Sequence, residues 1–201
     1  MSEAAVAQSR GSISKTFDRH LPGEAGIWIF ILGDMLIFSL FFCVFTYYRA
    51  LDVNLFIESQ SKLNQNFGAF NTLLLLSSSW FVVMGLQAVR KNRALRASRL
   101  FGLGLMCGIG FSIVKFFEYG EKIRHGIYLT TNDFFMYYYI FTGIHFLHVI
   151  IGMAVLIFLI LKARKGNFTA HDIQTFEAGA AYWHMVDLLW IVLFPLLYLV
   201  K

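Results

Sequence analysis

The sequence predicts an all-α, polytopic membrane protein with five transmembrane helices. Of its 201 residues, 58% are hydrophobic and only 14% are charged. A soluble domain of this size could not bury so much apolar side-chain surface, so the surrounding solvent is a lipid bilayer. Five apolar segments are each long enough to cross about 30 Å of hydrocarbon as a helix, and short connections separate them.

The five predicted spans follow one another without a separate soluble domain. In chain order they are about Gly26–Tyr48, Gly68–Ala88, Arg99–Tyr119, Phe134–Leu161 and Ala178–Val200. The first span carries one charged residue and the second carries none. Small residues favour close packing of the second and third spans: they are Asn71, Ser78 and Gly85, seven apart, and the G-x-x-x-G pair Gly104 and Gly108.

Basic residues are unequally divided between the two sides of the predicted bundle. Eleven lie on one side: Arg10, Lys15, Arg19, Arg90, Lys91, Arg93, Arg96, Arg99, Lys162, Arg164 and Lys165. Five lie on the other: Arg49, Lys62, Lys122, Arg124 and Lys201. The positive-inside rule therefore places the N-terminus in the cytoplasm and the C-terminus in the periplasm. Residues 1–25 form a polar cytoplasmic segment in which we expect no cleaved signal peptide, and residues 26–201 form the membrane domain.

Several function classes find no support in the sequence. The net charge of +5 arises from short loops between apolar segments, which is a topology signal rather than a nucleic-acid signature. Cys43 and Cys107 both lie in apolar segments, where we expect them to pack as small side chains. The chain has no Gly-rich phosphate loop, no C-x-x-C, no H-E-x-x-H and no nucleophile with its own base. We expect no catalytic residue and no metal site.

Ionisable side chains within apolar spans are costly unless a partner or a polar cavity satisfies them. The candidate site residues, proton-handling or structural, are Asp34, Glu118, His145, His148, His184 and Asp187. Asp34 and Asp187 lie about 12 Å and about 14 Å below the cytoplasmic ends of their helices, so both can face one polar zone. Each is either a proton-handling carboxylate or the partner in a helix–helix hydrogen bond.

Three pairs of ionisable residues stand three positions apart on one helix. We expect His184 and Asp187 to form a local hydrogen-bonded pair that also grips a neighbouring helix, and Lys115 and Glu118 to form an ion pair near the head groups. His145 and His148 invite a haem interpretation. His148 lies about 20 Å deep and His184 about 9 Å deep, whereas a haem held by two histidines needs both imidazoles at one depth. We therefore expect no intrinsic haem.

Taken together, these stretches resemble subunit III of the haem–copper respiratory oxidases, from about Gly26 to the C-terminus. The matching stretches are Ile31–Phe38, Phe70–Ser78, Glu118–Tyr119, Gly143–Gly152 (similar to the family's G-x-H-x-x-H-V-x-x-G) and Tyr182–Trp190 (similar to its W-H-x-x-D-x-x-W). Asp34 stands where the mitochondrial type has glutamate. Five helices match the short bacterial form, and Leu21–Trp28 most resembles the NorE-type proteins associated with nitric oxide reductase.

The resemblance implies a subunit without haem or copper of its own, because those cofactors belong to partner subunits. It implies packing beside catalytic subunit I, or beside the large subunit of nitric oxide reductase. It also implies phospholipids in a V-shaped cleft between the first two helices and the rest, with Asp34 facing that region. The other five candidate residues would structure the polar interior.

The function expected from the sequence is thus that of an accessory subunit in the bacterial inner membrane. It would support proton uptake and stability of a haem–copper oxidase or nitric oxide reductase. The alternatives are a free-standing proton-coupled transporter, which intramembrane acids and histidines also fit, and an assembly factor.

Overall fold

The computed structural model describes residues 25–200. Of the predicted N-terminal segment, all but Ala25 lies outside the described residues, as does the first half of Leu21–Trp28. The described chain is all-helical, and its elements are α1 Ala25–Leu51, α2 Val53–Ser61, α3 Gln65–Arg90, α4 Ala94–Arg124, α5 Asp133–Lys165, α6 Ala170–Phe194 and a π-helical turn at Pro195–Leu199. Five segments are long and apolar enough to cross a membrane, which confirms the five predicted spans.

The helices extend beyond the apolar segments that predicted them. The last one begins at Ala170 rather than near Ala178, because a capping box closes its first turn. Thr169 Oγ1 accepts a hydrogen bond from the Asp172 amide at 3.2 Å, and Asp172 Oδ2 accepts one from the Thr169 amide at 2.9 Å. These bonds satisfy amide groups that the first helical turn leaves unpaired.

The short helix α2 was not predicted, because it lies in the connection between the first two spans. Asp52 caps it by accepting a hydrogen bond from the Leu55 amide at 3.1 Å. Phe56 packs edge-on against Phe134 of α5 at 5.7 Å between ring centroids. Asn132 Nδ2 also donates to Ser59 Oγ at 2.8 Å. The helix is therefore fastened to the N-terminal end of α5.

Helices α3 to α6 form the core, and the small residues lie where their backbones approach closely. Ser78 Oγ of α3 donates to the Gly104 carbonyl of α4 at 2.7 Å. A methyl group on Gly108 would lie 2.9 Å from the Trp183 ring of α6, and one on Gly152 of α5 would lie 2.7 Å from the same ring. The packing role predicted for the G-x-x-x-G pair is confirmed.

Helix α1 touches this core along one aromatic edge. Phe38 and Phe45 are buried, and Phe45 packs on Phe141 of α5 at 5.8 Å. Within the most apolar stretch of α1 only 6% of the residues are buried, against 56% in the corresponding stretch of the last span. A cavity of about 440 Å³ lies between α1 and the core, and we call it the α1 cleft. Its lining includes Trp28, Ile31, Met35, Leu86, Arg90, Glu177, His184 and Leu188. The second span, α3, packs against α4 and α6 and lines the core wall of this cleft. The cleft therefore separates α1 from α3, whereas the resemblance implied a cleft between the first two spans and the rest.

Candidate functional site

Asp34 of α1 and His148 of α5 form a contact between two helices. His148 Nδ1 lies 2.9 Å from the carbonyl oxygen of Ile144. Because a carbonyl oxygen only accepts, Nδ1 carries a proton and donates it. The second ring nitrogen, Nε2, lies 3.0 Å from Asp34 Oδ2. The orientation of the imidazole is thereby fixed from its own helix, and its free nitrogen points at the carboxyl group.

The contact between Asp34 and His148 holds one proton. If Nε2 carries it, an imidazolium faces a carboxylate. If Oδ2 carries it, a carboxylic acid donates to a neutral imidazole. The Asp34 and His148 side chains keep 15% and 13% of their surface exposed in the isolated chain. One hydrogen bond therefore joins α1 to α5 at this contact.

The helix–helix hydrogen bond foreseen for Asp34 is therefore present, and its proton-handling role stays a prediction. The depth estimate was wrong, because it separated Asp34 from His148 by about 8 Å along the membrane normal. Counting residues from helix ends ignores tilt and vertical offset between helices. The expectation that Asp34 and Asp187 face one zone also fails, because Asp34 contacts α5 whereas Asp187 interacts with Ser79 of α3.

The polar residues of Trp183–Trp190 on α6 reach hydroxyl groups on α3. Trp183 Nε1 donates to Ser78 Oγ at 3.0 Å, and Trp190 Nε1 donates to Thr72 Oγ1 at 3.0 Å. Indole N–H groups that are buried need such acceptors. The W-H-x-x-D-x-x-W pattern thus forms one side of the contact between α6 and α3. The hydroxyl groups of α3 form the other side, and their pairing with α6 was not predicted.

The local pair predicted for His184 and Asp187 was wrong. His184 Nδ1 is hydrogen-bonded to Ser79 Oγ, and the same serine interacts with the Asp187 carboxyl group. Asp187 Oδ1 is buried and has no hydrogen-bond partner among the described residues. The second part of the prediction, a grip on a neighbouring helix, is confirmed with Ser79 as the residue gripped.

His145 is fully buried between α4, α5 and α6. Its Nε2 proton is donated to the Val186 carbonyl at 3.0 Å. Its ring lies 5.7 Å from Phe111 and 5.2 Å from Trp190, measured between centroids. These contacts fix the distance between α5 and α6, which agrees with the structural role expected for it.

The predicted ion pair of Lys115 and Glu118 is confirmed, with 2.9 Å between Nζ and Oε2. Each side chain is only 1% exposed, so the pair is buried among the helices, while its position near the head groups stays a prediction. Tyr138 and Tyr198 both donate to Glu118 Oε1, at 2.9 Å and 2.6 Å. We call these four residues the Lys115 cluster. The tyrosines were missed because they are distant in sequence and read as ordinary aromatic packing residues.

The described residues contain no group of three or more His, Cys, Asp or Glu side chains placed to hold a metal ion. The α1 cleft is mostly apolar, and the ion pair of Arg90 Nη2 and Glu177 Oε1, 2.7 Å apart, lies on its wall. Such a cavity suits a hydrocarbon chain with a polar end.

Comparison with known proteins decides the family. The family model for cytochrome c oxidase subunit III matches residues 7–201. This chain belongs to the cytochrome c oxidase subunit III family. It is 31% identical to cytochrome c oxidase subunit 3 of Synechocystis sp., over 90% of this chain and 82% of the relative. It is 27% identical to the corresponding subunit of Bacillus sp. strain PS3, over 87% and 84%.

With its five apolar helices, this subunit III homologue is a multi-pass bacterial membrane protein. A further relative is the haem–copper oxidase subunit I+III of Aeropyrum pernix. It is 28% identical over 94% of this chain, which spans 25% of that longer protein. The resemblance stated from the motifs is thereby confirmed at the level of the family.

Proposed function

We propose that this chain is a non-redox accessory subunit that packs beside catalytic subunit I of a haem–copper oxidase. The observation that carries the proposal is the family match over residues 7–201. The Aeropyrum relative supports the partnership, because that protein, as its name states, joins subunits I and III in one chain. The exposed apolar surface of α1 leaves room for a partner helix or lipid.

Within that complex, the pair of Asp34 and His148 supports proton uptake. The pair holds one proton and stays partly accessible. Intramembrane carboxylate–histidine contacts are typical of proton relays. We infer that the pair takes up protons from the membrane surface and passes them toward the catalytic subunit, whose haem and copper perform the redox chemistry.

The α1 cleft holds phospholipid in this proposal. Its wall offers Ile31, Met35 and Leu188 to an acyl chain, and the ion pair of Arg90 and Glu177 offers a polar group to the head. A lipid there would fill the space between α1 and the core and keep α1 in place.

The terminal acceptor is oxygen or, in the NorE-type variant of the proposal, nitric oxide. The stretch Leu21–Trp28 favours the nitric oxide variant. The two variants share the accessory role and differ in the large subunit that accompanies the chain.

The test is a gentle pull-down of the tagged chain from native membranes, followed by haem spectra and mass spectrometry. Co-purification of a haem–copper subunit I is the expected result, and the identity of that subunit separates an oxidase from a nitric oxide reductase. Isolation of a colourless chain alone, in a detergent that keeps known oxidases intact, would refute the accessory role. It would favour an assembly factor or a free-standing proton-coupled transporter.

A further inference from the structure

A second cavity, of about 750 Å³, lies at the connection between α5 and α6. Its walls are the last two turns of α5, the loop after Gly166 and the first turn of α6. The lining residues are Phe158, Leu161, Lys162, Arg164, Lys165, Gly166, Phe168 and Asp172. None of them lines the α1 cleft.

The cavity has two cationic groups without a carboxylate partner among residues 25–200. Lys162 is neutralised, because its Nζ lies 2.9 Å from Asp172 Oδ1. Arg164 and Lys165 are exposed and are absent from the ion pairs of the described chain. Basic residues at the C-terminal end of a helix also stabilise its dipole. That role alone does not account for the cavity that Arg164 and Lys165 line. Two free positive charges at a concave surface attract an anion.

The same cavity has an apolar wall on the side that faces the bilayer. Phe158 and Leu161 are 53% and 55% exposed. With Lys162 and Lys165 they occupy positions i, i+3, i+4 and i+7, which is one face of α5. The face therefore changes from apolar to cationic over two helical turns, at the end of the span. An amphiphile with a negative head group matches this order, whereas a free anion would use only the cationic part.

We propose that the cavity between α5 and α6 binds one anionic phospholipid. Arg164 and Lys165 contact the phosphate, and Phe158 and Leu161 contact the first part of an acyl chain. The anionic head group is favoured over a neutral one because the two cations are otherwise uncompensated. The site is independent of the α1 cleft and of whether the complex reduces oxygen or nitric oxide.

The test uses the full-length chain in detergent, delipidated and titrated with phosphatidylglycerol against a background of phosphatidylcholine. Native mass spectrometry counts the bound lipid. Arg164→Gln with Lys165→Gln should weaken retention of one phosphatidylglycerol at least about tenfold. Each basic residue near an anionic lipid surface strengthens binding about fivefold, and the double variant removes two of them. The matched control is Arg96→Gln with Arg99→Gln, which removes the same charge from exposed residues of α4 and should leave retention unchanged.

Three outcomes would overturn the proposal. Equal weakening in both double variants would show a general charge effect. Displacement of the lipid by soluble glycerol phosphate at equal concentration would show a site for a free phosphate. Equal retention of phosphatidylglycerol and phosphatidylcholine by the unaltered chain would show that the cavity does not select an anionic head group. The Arg164/Lys165 variant should keep near-normal thermal stability, because both side chains are on the surface. That measurement shows that the variant folds.

Discussion

A proton held between Asp34 and His148 has a consequence for single substitutions. Asp34→Asn removes the carboxyl group but keeps its shape, and it should leave assembly intact while lowering turnover of the complex or its persistence. The loss should be smaller than the roughly 10²-fold change typical of a direct acid–base group, because the pair supplies protons and does not touch the reacting atoms. Oxygen or nitric oxide consumption through many turnovers is the measurement.

The partner residue supplies the control. His148→Gln should reproduce the effect of Asp34→Asn, and the double variant should be no worse than either single one, because all three remove the same shared proton. Asp34→Glu should retain most of the turnover. Additive losses in the double variant, or undiminished turnover in Asp34→Asn, would mean that the two residues form only a structural hydrogen bond.

The Lys115 cluster should show the energetics of a buried ion pair. Glu118→Gln leaves the Lys115 ammonium without its carboxylate in a site that is 1% exposed, and it should lower the free energy of unfolding by about 3–5 kcal/mol. Lys115→Met with Glu118→Gln should cost less than Glu118→Gln alone, because it leaves no uncompensated charge. Unfolding in mixed micelles titrated with a denaturing detergent measures both.

A milder change separates charge from hydrogen bonding in the same cluster. Tyr198→Phe removes one donor to Glu118 Oε1 but leaves Tyr138 as the second, and should cost only about 1–3 kcal/mol. If it cost as much as Glu118→Gln, the hydrogen bonds of the Tyr198 hydroxyl group, and not the charge of the ion pair, would account for the stability of the cluster.

At the level of single residues, sequence reasoning succeeded where partners lie on one helical face. Lys115 and Glu118 were paired because positions i and i+3 adjoin by geometry alone. His184 and Asp187 obey the same spacing, yet they turn to Ser79, because an acceptor on a neighbouring helix competes with the local one. Tyr198 is distant from Glu118 in sequence, so only the packing of the C-terminal turn brings it there.

Among the helices, α5 and α6 meet over a glycine that admits the Trp183 ring. Gly152→Ala would put a methyl group 2.7 Å from that ring and should destabilise the fold by about 1–3 kcal/mol through overpacking. Gly143→Ala, on the same helix, has nothing within 4 Å. It should be neutral or slightly stabilising, since alanine favours the helix by up to about 1 kcal/mol. Thermal unfolding of the two variants side by side gives the comparison, and equal midpoints would refute the close approach.

The number of spanning helices was predictable, but their ends were not. Hydrophobic runs mark the part of a helix inside hydrocarbon, whereas polar caps such as Thr169 with Asp172 decide where it starts. The short helix α2 was missed for a related reason, since its fixing contacts, Phe56 with Phe134 and Ser59 with Asn132, come from another part of the chain.

The whole molecule is a four-helix core with α1 resting on its edge. Burial shows this asymmetry, because more than half of the residues in the most apolar stretch of the last span are buried, whereas almost none are buried in that of α1. A helix so weakly packed in a monomer depends on lipid or on a partner to hold its position. The fold therefore leaves most of the surface of α1, which carries Asp34, free to contact lipid or a partner subunit.

The orientation of this molecule in the membrane is the last prediction, and it follows from eleven basic residues on one side against five on the other. In a background with Cys43→Ser and Cys107→Ala, single cysteines at exposed loop positions report the side. Thr130→Cys, between α4 and α5, should react with a membrane-impermeant maleimide in cells whose outer membrane is permeable. Lys91→Cys, between α3 and α4, should react only after the inner membrane is opened. The reverse pattern would place the basic loops in the periplasm, and the anionic lipid site between α5 and α6 would then face the opposite leaflet.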